Sequence, residues 1–340
     1  MSAASVIRHL DRERFEIQPI AIDKAGRWLP LELKQIDTNA KSLTVPTRAS
    51  EQALSLKPET GRPFDIIFPV MHGPLCEDGA VQGLMELADV AYVGCGVLAS
   101  AVGMDKEVAK RLIRDAGLPI VPYVSLKHET WKRTREESAR KISTELGFPV
   151  FVKPANQGSS VGVHKVKELS ALNAALEDAF RYDSKVLVER AVAAREIELA
   201  VLENPDAGAP PLVSIAGEIV PHHEFYSYES KYLDENGAAL LIPAGITPAQ
   251  MSEAQRIARV AFEALECEGL ARVDLFLDKN TGQLSFNEVN TLPGFTSISM
   301  YPKMWEASGI PYADLLSKLV DLGLARHERR KKLVREFHGS

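Results

Sequence analysis

Two strand patterns near the end of the sequence carry polar side chains on one face and apolar side chains on the other. Arg272 and Asp274 are two positions apart in the first pattern, and Glu288 and Asn290 are two positions apart in the second. Because side chains i and i+2 on a strand point to the same face, pairing of the two strands would bring Asp274, Glu288 and Asn290 onto one surface. Three oxygen ligands are typical of Mg²⁺, which fills its remaining positions with phosphate and water.

The residues beside these ligands favour a binding site over a solvated sheet surface. Arg272 would lie on the same face, where it could neutralise an anion or a developing oxyanion. The sequence TLPG follows at residues 291–294, and Gly294 would let backbone N–H groups approach a ligand closely. A plain polar sheet face is the alternative for either pair alone, but the presence of both pairs and the turn favours the functional interpretation.

Strand and helix patterns alternate along much of the chain, which is typical of an α/β fold with a parallel sheet in its first part. Strands are predicted over residues 15–22, 64–70, 91–93, 149–154, 186–189, 196–202, 212–216, 271–277 and 284–289. Helices are predicted over residues 3–10, 81–87, 104–116, 168–181, 248–265 and 312–324. We expect structural units at residues 1–97, 98–187 and 188–326, followed by a basic tail at residues 327–340.

Composition narrows the class of protein. The 340 residues carry a formal net charge of −6, which does not indicate a nucleic-acid partner. Residues 326–335 are rich in Lys and Arg and could form a nucleic-acid arm, although a frayed, solvated helix end is the favoured interpretation. Three widely spaced cysteines indicate neither a metal site nor a disulfide framework. With no apolar run long enough to span a bilayer and no signal peptide, we expect a cytoplasmic protein without a membrane partner.

Two lysines are placed where they could hold an anion. Lys153 ends an apolar strand, and a lysine on a buried strand needs a negative partner. The loop QGSSVG follows at residues 157–162, where Ser159 and Ser160 lie between glycines that suit a phosphate-covering turn. A simple hairpin turn is an equal alternative for that loop. Lys106 begins a helix, whose free N–H groups and dipole favour anions.

Other polar residues are ambiguous on their own. Glu189 and Glu196 flank a strand junction that could contact ribose hydroxyls and an adenine edge, but exposed surface glutamates are the commoner case. Lys231 and Tyr232 lie in an aromatic-rich segment that could close as a lid over an anionic substrate, with aromatic packing as the alternative. His72 lies at a strand end, and a lone histidine is more often structural.

Taken in order, these segments resemble the D-alanine–D-alanine ligases, a family of ATP-grasp enzymes. The resemblance rests on HGPLCEDG at residues 72–79, MDK at 104–106, FVKPANQGSSVG at 151–162, KY at 231–232, RVD at 272–274 and NEVNTLPG at 287–294. The lysine-loop and carboxylate motifs are shared with other ATP-grasp enzymes, whereas the HGxxxEDG, Lys-Tyr and LPGFTSISM segments together are more specific. The resemblance extends over nearly the whole chain.

The resemblance implies an ATP-grasp fold preceded by a Rossmann-like N-terminal α/β domain, with ATP between the central and C-terminal units. It implies that two Mg²⁺ ions, which Mn²⁺ can replace, bind to Asp274, Glu288 and Asn290. The implied ATP contacts are Lys106, Lys153, Ser160, Glu189, Ala191, Val192, Glu196, Phe225, Lys231 and Phe276.

The implied reaction joins two D-alanines for peptidoglycan precursor and cell-wall synthesis. The carboxylate of the first D-alanine would attack the γ-phosphate of ATP, and the amine of the second would then attack the resulting acyl phosphate. The resemblance also implies a homodimer, and Tyr232 is similar to the residue of the dipeptide-forming members. The implied catalytic residues are Arg272, Gly294, Ser159 and Tyr232, and the implied substrate-binding residues are His72, Lys231, Ser299 and Met300.

Two features depart from the family pattern. The family begins with a strand and a Gly-rich loop, whereas this sequence starts at the helix that follows, so we expect the first strand and a substrate-anchoring glutamate to be missing. Cys76 stands where the family usually has glycine. Two alternatives stay open: an ATP-binding protein of the same fold with impaired or no turnover, and a ligase for another D-amino or D-hydroxy acid.

Overall fold

The computed structural model describes residues 2–23, 26–33, 36, 64–221, 238–296 and 298–334 of the chain. Three of the residues singled out above lie outside these ranges and are not described further in structural terms: Phe225, Lys231 and Tyr232.

The first group of elements is a small α/β arrangement. A hairpin pairs strands β1 (Ile20–Ile22) and β2 (Trp28–Pro30) antiparallel, and β3 (Ile66–Ile67) pairs in parallel with β4 (Ala91–Tyr92). The parallel pairing confirms the prediction for this part of the chain, although β1 and β3 are shorter than the apolar runs that predicted them. Two helices accompany these strands, α1 (Ser2–His9) and α2 (Ala80–Leu87).

A break in a helix places Lys106 at a helix start. The sequence predicts a helix over residues 104–116, and the structure confirms it as α4 (Lys106–Asp115). A further helix, α3 (Val97–Met104), which was not predicted, precedes it. Asp105 between them is extended, and its carboxylate accepts hydrogen bonds from the backbone N–H groups of Glu107 and Val108 at 3.2 and 3.1 Å. This side-chain cap satisfies two N–H groups of α4 and fixes where that helix begins.

A four-stranded antiparallel sheet forms the central group, in the order β5 (Tyr123–Lys127), β8 (Lys185–Arg190), β6 (Val150–Pro154), β7 (His164–Val166). One face of the sheet is apolar, with Val150 and Val152 fully buried against α5 (His128–Arg133), α6 (Arg135–Glu145) and α7 (Leu172–Ala179). The alternation along β6 therefore turns Lys153 toward the opposite face.

The last group is built on a larger antiparallel sheet. Its main path runs β12 (Ala238–Leu241), β11 (Gly217–Pro221), β9 (Ala194–Leu202), β13 (Leu270–Asp278), β14 (Leu284–Asn290), and β10 (Leu212–Val213) pairs with β9. Helix α8 (Pro248–Ala264) starts with a capping box between Thr247 and Gln250 and packs on one face through a core that includes Ile197 and Val273. Helices α9 (Met300–Ala307) and α10 (Tyr312–Lys331) pack on the other.

That second sheet face changes from apolar to polar along the strands. Leu202 and Leu270 lie at its apolar end and pack into the core with α9 and α10. Arg272 and Asp274 follow on β13 at the alternation of two, so they leave the core and reach the polar end. The change of character along a single face is what creates a binding surface on an otherwise buried sheet.

Helix α10 is longer than the sequence predicts, and the interpretation of residues 326–335 as a frayed, solvated end is wrong for its first part. Arg326 is buried and donates hydrogen bonds to the carbonyl oxygens of Gly94 and Tyr92. Arg330 forms ion pairs with Glu86 and Glu268. Across the described ranges, no helix combines the length and the apolar character that crossing a membrane requires.

Candidate active site

Three carboxylates form a row across neighbouring strands at the polar end of the larger sheet. Asp274 on β13 is in register with Glu198 on β9 and with Glu288 on β14. Arg272 is in register with Asn290 on β14, which confirms that the two pairs of the sequence share one face. The sequence analysis missed Glu198, although its spacing of two from Glu196 is the signal that puts both glutamates on the same face of β9.

Arg272 connects the members of this row. Its Nε and Nη2 atoms donate to Oδ1 and Oδ2 of Asp274, both at 2.7 Å, and its Nε lies 3.2 Å from Oε2 of Glu198. Asn290 donates to Oδ2 of Asp274 at 2.9 Å. The two-pronged contact fits the planar guanidinium and fixes its orientation, as a lysine could not.

Arg272 stays charged in this environment. Burial lowers the pKa of the guanidinium, but attraction to Asp274 and Glu198 outweighs it and raises the pKa well above its ordinary value. A permanently positive, rigidly held group on a sheet surface can stabilise negative charge that develops on a reacting oxygen.

The donor set at this surface fits a hard divalent cation. Asp274 and Glu288 supply carboxylate oxygens, and Asn290, whose amide nitrogen is engaged by Asp274, has its amide oxygen to offer. Within the described ranges, no three His, Cys, Asp or Glu side chains are arranged to hold a metal by themselves. Mg²⁺ commonly takes only one or two protein carboxylates and completes its shell with phosphate oxygens and water, so an incomplete protein cage suits a metal that arrives with a nucleotide.

A second charged cluster lies on the central sheet. Lys153 donates to Oε2 of Glu189 at 2.5 Å, and Lys110 of α4 lies 2.9 Å from Oε1 of the same carboxylate. Lys110 and Glu189 are 1% and 2% exposed, so the pair is part of the protein interior. Glu189 thus anchors a lysine and is not exposed, contrary to the commoner interpretation of such a glutamate.

The two lysines keep Glu189 ionised despite its burial. Burial raises the pKa of this carboxyl, but attraction to Lys110 and Lys153 outweighs burial and lowers the pKa to about 2. For Lys110, burial is the larger effect and lowers the pKa of the ammonium. For Lys153, the penalty of burial is outweighed by Glu189, and the pKa is raised. The outer lysine is therefore positively charged at neutral pH.

Lys110 is a residue that the sequence analysis missed. A signal for it exists, because Lys110 follows Lys106 by four positions and the two side chains lie on one side of α4. Ala109 and Ile113 of the same helix are buried, so the lysine adjoins the apolar stripe. A lysine at the edge of an apolar stripe is normally predicted to lie on the helix surface. The burial of Lys110 becomes clear only from its partner Glu189, which lies on another element.

The lysine cluster lies opposite the carboxylate row. We call the space between them the cleft, which is bordered by Lys106 and Lys153 on one side and by Glu288 and Phe276 on the other. Lys106 Nζ lies 3.5 Å from Oε2 of Glu288 and donates to the carbonyl oxygen of Gln157 at 2.6 Å. Lys153 Nζ lies 5.9 Å from the ring centroid of Phe276, which is half-buried on β13. Cations from the central group thus face carboxylates from the last group. An anion that carries a divalent cation would be matched on both sides of such a cleft.

The loop after Lys153 has the backbone of a ligand-binding turn. Ser159 and Ser160 both have positive φ angles, 53° and 59°, which residues other than glycine rarely adopt. Gly162 has φ 67°, and a Cβ atom there would lie 2.5 Å from Cδ2 of Tyr182. Successive left-handed residues present backbone N–H groups to an anion, and the strain they store is concentrated at functional loops.

The HGPLCEDG segment lies beside this loop. His72 Nδ1 is 3.2 Å from Oε1 of Glu77, and Oε2 of Glu77 is 3.9 Å from the place where a Cβ atom of Gly158 would lie. Asp78 accepts hydrogen bonds from two backbone N–H groups in its own turn. His72 is therefore brought to the loop that holds Ser159, with Glu77 between them, and Glu77 is a further polar residue of this region that we had not singled out.

The turn after β14 is closed by a serine. Ser299 Oγ accepts from the N–H of Thr296 at 2.9 Å and would lie 2.7 Å from a Cβ atom placed on Gly294. A side chain at position 294 would therefore collide with Ser299, which explains why the position is glycine. Met300 is buried in the core at the start of α9, so its backbone, not its side chain, is the part that a ligand could contact.

Part of the strand junction at Ala191, which was predicted to contact adenine, is hydrogen-bonded within the protein. The N–H of Ala191 donates to the carbonyl oxygen of Pro149 at 3.0 Å, which leaves the carbonyl of Ala191 and the backbone of Val192 for a base. Glu196 is in register with Phe276 across β9 and β13. These residues lie along the cleft edge that Phe276 and Lys153 define.

Family models cover most of the chain. Residues 1–95 match the model described as D-ala D-ala ligase N-terminus, and residues 112–321 match the model described as D-ala D-ala ligase C-terminus. Among curated proteins, D-alanine–D-alanine ligase A of Bradyrhizobium diazoefficiens is 56% identical over 99% of this chain and 93% of its own length. The D-alanine–D-alanine ligase of Heliobacterium modesticaldum is 48% identical over 98% and 93%.

Solved structures give the same picture. The D-alanine–D-alanine ligase of Coxiella burnetii superposes with a TM-score of 0.78 at 33% identity, covering 98% of this chain and 91% of the other. The VanG D-Ala:D-Ser ligase of Enterococcus faecalis superposes with a TM-score of 0.80 at 34% identity, covering 95% and 94%.

Proposed function

The chain belongs to the D-alanine–D-alanine ligase family and is an ATP-dependent ligase for two D-alanines, and we propose that it works through a D-alanyl phosphate formed in the cleft described above. The observation that carries the proposal is the meeting of Lys106 with Glu288 at 3.5 Å, because it joins the cationic and carboxylate halves of the site. D-alanyl-D-alanine is a building block of peptidoglycan, so the activity serves cell-wall synthesis.

The lysine side of the cleft binds the nucleotide. Lys106 and Lys153 neutralise phosphate oxygens, and the strained loop at Ser159 and Ser160 covers them with backbone N–H groups. Glu196, Phe276 and the backbone at Ala191 and Val192 hold the ribose and the base. Phosphoryl transfer depends mainly on position and on charge neutralisation, which this arrangement supplies.

The carboxylate side holds the metal. Asp274, Glu288 and Asn290 would hold two Mg²⁺ ions, or Mn²⁺ in their place, and Arg272 lies beside these residues. When bound, the metal neutralises the phosphates and stabilises the oxygens of the transferring group. Arg272 would keep its contact with Glu198 if Asp274 bound a metal, because the guanidinium contacts both carboxylates.

The reaction then proceeds in two steps, formation of the acyl phosphate and formation of the peptide bond. A carboxylate oxygen of the first D-alanine forms a bond to the γ-phosphorus of ATP, and the bond to ADP breaks. The ammonium group of the second D-alanine first gives a proton to water, and the free amine forms a bond to the carbonyl carbon. The bond from that carbon to the phosphate oxygen then breaks, the electron pair leaves on the phosphate, and the nitrogen gives its extra proton to water. Arg272 and the N–H of Gly294 stabilise the negative oxygen of the tetrahedral intermediate.

Substrate orientation comes from the remaining residues of the sequence prediction. Ser299 and the backbone of Met300 hold the carboxylate of the second D-alanine. The resemblance assigns Lys231 to the same carboxylate and Tyr232 to the ordering of the substrate end of the cleft, and both residues lie outside the described ranges. Ser159 and His72 order the end of the cleft, where His72 and Glu77 adjoin the loop. An acyl phosphate hydrolyses readily, so a covered site is needed to exclude water. We also propose that the protein is a cytoplasmic homodimer.

Product analysis tests the substrate assignment. The purified chain is incubated with ATP, Mg²⁺ and D-alanine, and phosphate and dipeptide are measured together. We expect one phosphate per D-alanyl-D-alanine formed and much slower release with L-alanine. D-serine and D-lactate are the necessary comparators, because one structural neighbour is named a D-Ala:D-Ser ligase. Faster release with either comparator than with D-alanine would overturn the assignment.

The alternatives of the sequence analysis are not favoured. Relatives named as D-alanine–D-alanine ligases match 98–99% of the chain at 48–56% identity, which favours D-alanine over another acid and turnover over binding alone. ATP binding without D-alanine-dependent phosphate release is the result that would restore the non-catalytic alternative.

A further inference from the structure

Lys110 is a fully buried lysine that no step of the proposed reaction uses. It is 1% exposed, and its ammonium lies 2.9 Å from Oε1 of Glu189. A buried ammonium is costly unless a negative group compensates it, so the position of Lys110 is tied to that of Glu189.

Glu189 bridges an inner and an outer lysine. Lys110 contacts one carboxylate oxygen from the interior, and Lys153 donates to the other at 2.5 Å. The side chain of Lys153 is 14% exposed and approaches Phe276 on the facing sheet, so it borders the cleft. Two ammonium groups and one carboxylate give this cluster a formal charge of +1.

Lys110 determines the net charge that the cluster presents to an anion in the cleft. Without Lys110, Glu189 and Lys153 would form a neutral pair, and a phosphate would have to compete with Glu189 for the ammonium of Lys153. With Lys110 present, the carboxylate is already compensated from behind, and the cluster stays positive toward an anion. In a site of low polarity this difference of one unit charge acts strongly over a few ångströms.

We propose that Lys110 is a positioning residue for ATP, which compensates Glu189 and leaves the charge of Lys153 available to the nucleotide phosphates. The inference rests on the proposed function, since it takes Lys153 as a phosphate contact. Lys110 acts through Glu189 and touches neither substrate nor metal.

The test replaces Lys110 by a neutral residue of similar length. Lys110→Met removes the inner charge and retains most of the buried volume. The fold should survive, because Glu189 keeps its contact with Lys153 and is not left without a positive partner. The matched control is Arg111→Met, which removes one positive charge from the next position of the same helix, where Arg111 is 54% exposed and paired with Glu107. Dissociation constants for ATP with Mg²⁺ are measured by calorimetry without D-alanine, alongside the melting temperature.

We expect Lys110→Met to weaken ATP binding about tenfold, the scale seen when the outer partner of a ligand-holding group is lost. KM for ATP rises with it, whereas KM for D-alanine at saturating ATP changes by less than about twofold. Arg111→Met should match the unmodified chain. In a Glu189→Gln background the added Lys110→Met change should have little effect on ATP affinity, because the residue through which Lys110 acts is gone.

Three results would overturn the inference. The first is ATP binding by Lys110→Met equal to that of the unmodified chain. The second is an equal rise in KM for ATP and for D-alanine, and the third is loss of folded protein in both Lys110→Met and Lys110→Gln. Either of the last two would assign Lys110 a structural role. Failure of the proposed function is a separate outcome, because it shows as absent D-alanine-dependent phosphate release in the unmodified chain.

Discussion

Single buried charges define the chemistry of this cleft, and each is held by an identifiable partner. Arg272 is fixed by Asp274 and Glu198, and Glu189 is fixed by Lys110 and Lys153. Breaking such a pair is costly because the remaining charge is left uncompensated in the interior. Substitutions at these positions therefore report on binding only when the partner keeps a second contact.

Asp274 satisfies that condition, because Arg272 keeps Glu198 when Asp274 is neutralised. We expect Asp274→Asn to fold and to lower kcat/KM by about 100-fold, because it removes a proposed metal-binding carboxylate and loss of even an outer partner of a metal ligand costs about 10–100-fold. Asp278→Asn is the matched control, since Asp278 lies on the same strand and its carboxylate only caps the turn at Asn280 and Thr281. Phosphate release and the thermal shift produced by Mg²⁺ with ATP are measured for both. Unchanged values for Asp274→Asn would mean that the metal site lies elsewhere.

Glu189 gives a pH dependence whose sign follows from its pKa. The pKa is lowered from 4.5 to about 2, so the ionised form is favoured in the folded state. Its contribution, on the order of 3 kcal/mol, is fully present above pH 4.5 and is lost as the pH falls toward 2.

Unfolding of the chain and of Glu189→Gln at a series of pH values measures this contribution. The difference in unfolding free energy between them should be constant above about pH 5 and shrink below pH 4.5. A difference that stays constant down to pH 2.5 would show that Glu189 is not a compensated buried carboxylate.

Among the helices and strands, the sequence predicted the structure best where the polar and apolar alternation lies within a single element. The spacing of two in Arg272 and Asp274, and in Glu288 and Asn290, predicted a shared face, and the strand register confirms it. The parallel pairing near residue 91 and the helix start at Lys106 were predicted on the same local grounds.

Residues that depend on contacts between elements could not be predicted in the same way. Lys110 and Glu198 are explained by partners on other elements, Glu189 for the first and Arg272 for the second. Arg326 was predicted to belong to a solvated helix end. Its hydrogen-bond acceptors, the carbonyl oxygens of Gly94 and Tyr92, lie more than two hundred positions away in the chain, so no local pattern indicates them. Sequence periodicity reports which side of an element a residue occupies, but not what another element brings to it.

The turn into α2 offers a test of backbone geometry at this scale. Gly79 has φ 91°, and a Cβ atom there would lie 2.8 Å from the carbonyl oxygen of Val97. We expect Gly79→Ala to destabilise the protein by about 1–3 kcal/mol, because the substitution adds both backbone strain and a collision.

Gly83 is a suitable control within the same helix, since nothing lies within 4 Å of a Cβ atom placed there and its backbone is helical. Gly83→Ala should stabilise the protein by about 0.5–1 kcal/mol. Chemical denaturation measures both variants. Equal effects of the two substitutions would contradict the geometry of the HGPLCEDG turn.

At the scale of the molecule, helix α10 joins the beginning of the chain to its end. Arg326 donates to two carbonyls of the first group of elements and stacks over the Tyr92 ring at 4.2 Å. Burial raises the pKa of the Tyr92 hydroxyl, which stays protonated and donates to Glu86 at 2.7 Å. The first group of elements is thereby held against the larger sheet, which carries Asp274 and Glu288.

Removal of Arg326 should loosen that connection. Arg326→Met leaves two buried carbonyls without their donor, and we expect a loss of about 3 kcal/mol in unfolding free energy. Arg329→Met removes an arginine one turn later that is 49% exposed and paired with Glu203, and should cost less than about 1 kcal/mol. Thermal unfolding compares them, and similar melting temperatures for the two variants would contradict the structural role of Arg326.

Isotope transfer shows whether this cleft moves phosphate from ATP to the carboxylate of D-alanine. D-alanine labelled with ¹⁸O in its carboxylate is incubated with ATP and Mg²⁺, and the released phosphate is analysed by mass spectrometry. Formation of a D-alanyl phosphate predicts one labelled oxygen in each phosphate released, because the bond that breaks in the second step leaves the carboxylate oxygen on phosphorus. Phosphate released without label while the dipeptide forms would contradict the account.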